Sequence, residues 1–407
     1  MHLPTKRWCG RCAGDAYRYV GLELAMNARP VILLAAGALL VAPVARSGHE
    51  QPVYPSYYPH EIEVRSITPG QAADLLRSSK LHAYIGPTPP PFVTPPPEFI
   101  GSIQSLSSFV VVEVSPLLVS KDQPAACKVA QMVVRDLTEK PSNLIFHPYP
   151  VTPLHGDYLH HADLADAAKM RLRDPVAGEP AVRNPKVIWS SRTAKILALP
   201  ESLPQGMEWD AIVHVIDAAG LIASNSVVIN DWRNPPWTRS GWFYAYHLLA
   251  DRSSPDQRVL SLSGRLHRGD HDSPVERINL ERDLVRALTA SCRMTVAGYT
   301  VKREYFNTEF SAGIENIGFD ALEGLLSPIF VRTVKLKDFP WNGWLQLGVG
   351  QPPAAAWNPI GGFTDDFGRL MWFAVGDAAA IPSPYDQAWM LNRFSEVEQT
   401  PRPSPKE

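Results

Sequence analysis

Alternating and periodic apolar positions mark the start of the folded chain. Residues 61–67 alternate polar and apolar side chains, which predicts a half-buried strand. Thr68 and Pro69 then supply a helix N-cap and a proline at the first helical position, so a helix is expected over 71–80. Residues 81–86 are strand-like again. The pattern therefore predicts a β-α-β unit.

The same patterns continue along the rest of the chain. They predict strands at 109–114, 186–189, 211–217, 227–229, 328–336 and 344–349. They predict helices at 123–138, 162–173, 242–250, 279–291 and 319–326. Because strands and helices alternate, the expected fold class is α/β, with a mixed α+β arrangement as the alternative.

Prolines and tryptophans are distributed unevenly. The chain has 39 prolines, and the proline-rich stretch 87–97 predicts an extended polyproline II arm. Residues 173–185 are polar and proline-bearing, and ten of the eleven tryptophans lie at or after Trp189. We therefore expect two sub-domains with proline-rich irregular connections. The expected segments are an N-terminal α/β domain at 48–175, a Trp-rich C-terminal α/β domain at 186–395 and a disordered tail at 396–407.

A short apolar run predicts export. Arg29 precedes an uncharged apolar stretch of 16 residues, 30–45. A membrane span needs roughly 20 residues, so residues 26–47 fit a secretory signal peptide cleaved before Gly48 and leave no stable membrane span. The expected location is the periplasm or the cell exterior. Residues 1–25 are expected to be a mis-annotated extension ahead of a start at Met26, and an uncleaved anchor is the alternative.

Overall composition limits the classes of function. Hydrophobic residues make up 45% of the chain, which is enough for a core, and the net charge of −2 offers no basic footprint for nucleic acid. No nucleophile elbow, P-loop or Rossmann fingerprint is present, so no reaction is assigned. Cys127 and Cys292 are the cysteines beyond the signal, and an oxidising compartment favours a disulfide between them over two buried thiols.

A histidine-rich loop over 147–161 is the first candidate site. Imidazole and carboxylate groups are common ligands of zinc, copper and iron, so the loop predicts a site for one transition-metal ion. The predicted ligands are His147, His155, Asp157, His160 and His161. The alternatives are that these histidines hydrogen-bond a proline-rich loop against the following helix, or that they contact a small ligand.

Aromatic and arginine side chains alternate in a second candidate site. Such groups stack on sugars or flat ligands, although the same composition also makes a rigid packed loop. The predicted ligand-binding residues are Trp232, Arg233, Trp237, Arg239 and Trp242. Two weaker candidates are the carboxylate pair Glu304 and Glu309, for acid–base chemistry, and the charged loop 267–272, for a metal.

These features favour an exported ligand-binding or accessory protein over two alternatives. One alternative is an exported metalloprotein or metalloenzyme that uses the histidine-rich loop, and the other is a structural partner in an envelope complex that docks through 87–97. The expected partner is a small-molecule ligand or an envelope protein, not nucleic acid. The outline of two α/β halves behind an export signal resembles solute-binding proteins, although no sequence motif carries the likeness.

Overall fold

The computed structural model describes residues 59–92, 95–140, 142–173, 184–189, 208–225, 228–229, 232–233, 235–251, 256–338, 343–352, 365–375 and 380–391. The predicted extension 1–25, the signal peptide 26–47 and the tail 396–407 lie outside these residues. Within the described residues, no helix is both long and apolar enough to cross a membrane.

Strands and helices alternate along much of the described chain. The strands are β1 Glu61–Ser66, β2 Ala83–Ile85, β3 Ile100–Val114, β4 Ile145–Phe146, β5 Val187–Trp189, β6 Ala211–Asp217, β7 Val228–Ile229, β8 Trp232–Arg233, β9 Met294–Asn307, β10 Ile314–Glu315, β11 Lys335–Leu336, β12 Trp344–Val349, β13 Ala380–Pro382 and β14 Trp389–Leu391. The helices are α1 Pro69–Arg77, α2 Pro116–Lys121, α3 Gln123–Glu139, α4 Ala162–Arg173, α5 Ala218–Ser224, α6 Gly241–Leu249, α7 Gln257–Arg268, α8 Pro274–Thr289, α9 Pro328–Thr333 and α10 Asp366–Val375.

A large mixed sheet organises these elements. Among the described residues it has eight strands in the order β1-β12-β2-β9-β3-β6-β5, with β4 pairing on β9. The β1–β12, β12–β2 and β5–β6 pairs are parallel, whereas β9 is antiparallel to both β2 and β3. This sheet and its helices confirm the predicted α/β class. Its strands come from both sides of residues 173–185, and the division into two sub-domains there stays a prediction.

Strand β3 is buried on both faces, which explains its apolar run. Phe109 and Val111 pack into the cluster formed with α6, α7 and α8. Val110 and Val112 face the opposite way and pack with α3. Successive side chains of a strand point to opposite faces, so this arrangement requires helices on both sides of the sheet. The histidine-rich loop reaches the α6–α8 side, where Val151 joins the same cluster.

A disulfide joins Cys127 on α3 to Cys292, as the sequence predicts. Cys292 lies between α8 and β9, and the Cα atoms are 4.9 Å apart. The bond therefore links a helix on one face of the sheet to the segment that leads into β9.

Two predicted elements are wrong. Residues 319–326 form turns around an isolated bridge between Asp320 and Gly324, not a helix. Gly324 has a φ of +70°, and a Cβ there would collide with the carboxylate of Glu304. The predicted strand 328–336 begins instead as helix α9, because Pro328 follows Ser327 at a helix start, and only β11 is extended.

The proline-rich stretch packs on the body of the protein where it is described. Residues 87–92 and 95–97 contain no helix or strand, as predicted. Phe92 makes an edge contact with the ring of Tyr305 at 5.0 Å, and the Arg77 guanidinium lies over its face. Phe92 therefore attaches the stretch to β9 and α1.

Candidate functional site

The histidine-rich loop is held against α8. It runs from β4 through a 3-10 turn at Tyr158–His160 into α4. Arg282 of α8 donates two hydrogen bonds to the Asp163 carboxylate, at 2.8 and 2.7 Å, and another to the carbonyl of His160. The hydrogen bond from Arg282 lowers the pKa of Asp163 to about 2, so Asp163 stays ionised at neutral pH. We call this Arg282–Asp163 ion pair the clamp. It fixes the end of the loop beside α8.

The clamp brings three buried titratable groups together: Asp157 and His161 from the loop and Glu281 from α8. One potential ligand atom from each lies within 4.8 Å of the others. The three residues are 5%, 0% and 1% exposed. Charged groups are rarely buried this deeply without partners. The hydrogen bonds of each group in the cluster therefore show whether its burial is compensated.

Only part of the hydrogen-bonding capacity of this cluster is used. The Gly241 N–H at the start of α6 donates to Asp157 Oδ2 at 2.9 Å, and His161 Nδ1 lies 3.0 Å from the Tyr149 hydroxyl. Asp157 Oδ1, His161 Nε2 and both Glu281 oxygens have no hydrogen-bond partner among the described residues. Arg277 Nε lies 3.6 Å from Glu281 Oε1, beyond hydrogen-bond range.

Burial dominates the protonation of the cluster. It raises the pKa of Asp157 from 3.8 to about 6 and the pKa of Glu281 from 4.5 to about 8, where the negative charge of Asp157 adds to the effect. Burial, followed by the positive charge of Arg282, lowers the pKa of His161 to about 4. At neutral pH the imidazole is therefore neutral, and Glu281 holds a proton when no cation is bound.

The other predicted metal ligands lie outside this cluster. His147 Nε2 donates to the carbonyl of Val151 at 2.8 Å. His155 Nδ1 accepts from the Thr152 N–H at 3.0 Å, so the proton of its neutral ring is on Nε2. His160 is exposed. The structure thus brings Asp157 and His161 together and adds Glu281, which the sequence analysis missed.

We expect the stability of the chelator-treated protein to fall as pH rises from about 6.5 to 8. In this window folded Glu281 (pKa about 8) keeps a proton that the unfolded chain (pKa 4.5) has released. Stability then falls with pH, by at most about 1.4 kcal/mol per pH unit for one proton. His161 adds little, because its lowered pKa opposes this trend only below about 6.5. Burial also raises the pKa of Glu304, which acts in the same direction as Glu281. Urea unfolding in EDTA at several pH values measures the slope.

Glu281→Gln provides the decisive variant for this slope, because glutamine resembles the protonated carboxyl group. The slope should flatten in Glu281→Gln and persist in Glu276→Gln, which removes a half-exposed carboxylate from the same helix. A flat wild-type profile, or an unchanged slope in Glu281→Gln, would contradict the assignment of the proton to Glu281.

The structure places the residues of the predicted aromatic site in different environments. Trp237 and Trp242 stack on one another at 5.5 Å, and each makes an edge contact with His267 at 5.2 Å. Trp242 is 1% exposed, so its ring belongs to the core. Trp232 and Arg233 form β8, and their side chains lie outside the described part of the structure.

Arg239, the remaining predicted ligand-binding residue, lines a cleft. The cleft has an empty volume of about 260 Å³ that includes open solvent. Its lining residues are Leu154, Gly156, Arg239, Asp320, Leu322 and Ser383 to Gln387. Arg239 forms an ion pair with Asp320. Its Nη1 is buried and has no hydrogen-bond partner among the described residues.

The weaker candidates have structural partners. Glu304 is buried on β9 and accepts a hydrogen bond from Leu325 N at 2.9 Å, which holds the turn after Asp320. Glu309 is instead bound to the backbone of Ser311 and Ala312 in its own turn. In the loop 267–272, His267 bonds the Ser263 carbonyl at 2.7 Å and packs with the tryptophans. These contacts give Glu304, Glu309 and His267 structural roles, and catalysis by the carboxylates or metal binding by the loop stays a prediction.

Comparisons with known proteins give a fold likeness only. No protein-family model matches the chain, and no curated protein matches its sequence. Among solved structures, HbpA2 from Haemophilus parasuis is similar at a TM-score of 0.37 and 10% identity, over 66% of this chain and 56% of that one. The PBP AgaA from A. tumefaciens R10, in complex with agropinic acid, has a TM-score of 0.38 and 10% identity, over 66% and 59%.

A third solved structure is similar at the same level. It is an ABC transporter substrate-binding protein from Sinorhizobium meliloti, with a TM-score of 0.35 and 9% identity, over 65% of this chain and 59% of that one. The chain therefore spans a little over half the length of each of these three proteins.

Proposed function

We propose that this protein is exported and binds a small molecule through an anionic group, such as a carboxylate, in the cleft at Arg239. The observation that supports the proposal is the guanidinium itself: one nitrogen pairs with Asp320 while Nη1 lacks a hydrogen-bond partner among the described residues. A guanidinium presents a rigid fork of donors that matches carboxylate geometry. A carboxylate in the cleft would use the donor that the described residues leave unpaired.

The surroundings of Arg239 suit such a ligand. Leu154 and Leu322 supply apolar surface, Ser383 and Gln387 supply polar groups, and Asp386 adds a second carboxylate to that of Asp320. Ligand pockets generally combine an apolar lining with a few placed polar groups.

Asp320 holds the arginine in place. Its Oδ1 accepts hydrogen bonds from Leu322 N and Glu323 N, at 2.7 and 3.1 Å, which fixes the carboxylate on the turn. The ion pair then fixes the guanidinium relative to that turn. A preorganised guanidinium loses less conformational entropy when a ligand binds.

We expect small carboxylates to raise the melting temperature of the protein. The probes are acetate, pyruvate, succinate and citrate at fixed ionic strength, with inorganic phosphate as a second anion and glucose as a neutral comparison. A ligand at a hundredfold excess over its Kd adds about 2.7 kcal/mol, which corresponds to a rise of roughly 5 °C. Differential scanning fluorimetry measures this shift.

Arg239→Lys tests whether the rise depends on the guanidinium fork. Lysine keeps the positive charge beside Asp320, so the fold is expected to survive while the ligand-dependent rise is lost. Arg258→Lys changes an exposed arginine on α7 and should behave as wild type. An equal rise with glucose, no rise with any anion, or an unchanged rise in Arg239→Lys would each oppose the proposal.

A further inference from the structure

We propose that Asp157, His161 and Glu281 bind one divalent transition-metal ion, and none of these three residues lines the Arg239 cleft. The three side chains offer ligand atoms within 4.8 Å of one another, and all three residues are buried. This distance is suitable because atoms that share a metal at about 2.0–2.2 Å lie roughly 3–4 Å apart, so a small closure completes the site.

The atoms without partners are those that a metal would take. Asp157 Oδ1, His161 Nε2 and the two Glu281 oxygens lack hydrogen-bond partners among the described residues. Leaving such buried groups unpaired is costly, and an absent ion is one of the standard reasons for it. One ion bound to all three residues would satisfy a group on each.

The partners of the cluster already resemble an outer ligand shell. The Gly241 N–H holds Asp157 through Oδ2, and Oδ1, which has no partner in the described part of the chain, is available to the ion. Tyr149 lies at His161 Nδ1, and when that nitrogen donates its hydrogen to the Tyr149 oxygen, Nε2 carries the lone pair that binds metal. Outer contacts of this kind orient metal-binding histidines and carboxylates.

The donor set selects the class of metal. One imidazole nitrogen with two carboxylates suits zinc, manganese and iron(II), whereas magnesium and calcium prefer oxygen ligands alone. Asp157 and Glu281 supply two negative charges for a divalent cation, and the imidazole is neutral. Arg277, whose Nε lies 3.6 Å from Glu281 Oε1, would have to release Glu281 to the ion. Zn²⁺ is the first probe because it is not redox-active and accepts nitrogen and oxygen ligands in a tetrahedral arrangement with room for one water.

A metal here would join separate parts of the chain. Asp157 and His161 flank the 3-10 turn, Glu281 lies on α8, and Gly241 begins α6. The ion would therefore cross-link the histidine-rich loop to α8, with α6 held through Asp157. Binding to the folded state alone would stabilise the protein in proportion to occupancy.

The test is metal content and melting temperature of the full chain without a histidine tag. Because the cluster is buried, the protein is unfolded in urea with its disulfide intact and refolded with EDTA, Zn²⁺, Mn²⁺ or Mg²⁺. After dialysis, we expect one Zn²⁺ per chain by elemental analysis and a higher melting temperature than in EDTA. No bound Zn²⁺ or Mn²⁺, or equal binding of Mg²⁺, would overturn the proposal.

Matched variants assign the site. His161→Gln and Glu281→Gln should each weaken zinc binding at least a hundredfold in a competition assay with a chelating dye, and Tyr149→Phe should weaken it about 10–100-fold. His160→Gln alters an exposed residue next to His161, and Glu276→Gln alters a half-exposed carboxylate on α8. Both variants should bind zinc as wild type does. Loss in His160→Gln, or full binding in both His161→Gln and Glu281→Gln, would place the metal elsewhere. Circular dichroism of each variant shows whether a loss reflects misfolding.

Discussion

Replacing Cys127 and Cys292 together by serine should lower the free energy of unfolding by about 2–5 kcal/mol. The disulfide joins residues separated by 165 positions, so its loss frees a long loop in the unfolded chain. In the folded protein it ties α3 to the segment that enters β9. Guanidinium unfolding of wild type and of Cys127→Ser/Cys292→Ser measures the difference.

Reduction provides a matched control for the disulfide prediction. Both cysteines are partly exposed, so dithiothreitol is expected to reach the bond. The reductant should lower the stability of wild type to that of the double variant, and it should leave the variant unchanged. Equal stability of wild type and variant under oxidising conditions would mean that the bond adds nothing to the folded state.

The fold was predictable where the chain follows one periodicity. Strand 344–349 matches β12 residue for residue, and helix 123–138 matches α3 within one residue. Strand β3 was predicted only from Phe109 onwards, because its first nine residues are rich in serine and glycine. That part is held by pairing with β9, a long-range contact that no local pattern reports.

Helix α7 was missed although the sequence carries its signals. Asp256 caps it by accepting from Arg258 N and Val259 N, and Gly269 ends it with a φ of +62°. Asp and Gly in these two positions are common helix start and stop signals. The intervening polar and charged residues obscured an apolar stripe that consists mainly of Val259 and Leu266.

Only part of the buried cluster of Asp157, His161 and Glu281 could be predicted from the sequence. Asp157 and His161 lie in one histidine-rich loop, so composition alone drew attention to them. Glu281 is more than a hundred positions away, but it shares a helix face with Leu284, Val285 and Leu288 at the i+3, i+4 and i+7 spacing. An acidic residue inside an apolar stripe is the signal that would have identified Glu281.

Tryptophan content indicated a ligand site less reliably than histidine content indicated the buried cluster. Sequence grouped Trp237, Trp242 and Arg239 as one ligand surface, whereas the structure puts Trp242 in the core with Phe243 and leaves Arg239 at the cleft. Aromatic rings stabilise cores and ligand sites by the same apolar contacts, so composition does not distinguish the two. A buried arginine donor that lacks a partner among the described residues is a more specific indicator of a ligand site, because a buried donor needs a partner.

Arg239→Met is expected to cost about 3–5 kcal/mol of folding stability, because it leaves the Asp320 carboxylate buried without its cation. Asp320 is 1% exposed and the Arg239 side chain is 11% exposed, so water does not replace the lost partner. Urea unfolding measures the change. Arg286→Met is the matched control, since the Arg286–Asp283 pair is 50% and 43% exposed and should contribute less than about 1 kcal/mol.

The double variant Arg239→Met/Asp320→Asn separates the ion pair from the turn that Asp320 caps. Asparagine keeps an oxygen for Leu322 N and Glu323 N but removes the uncompensated charge, so the double variant should be more stable than Arg239→Met alone. If both variants lose the same stability, packing of the arginine stem is the cause. If Arg239→Met costs no more than Arg286→Met, the carboxylate is hydrated, and the cleft is more open to water than the burial of Asp320 indicates.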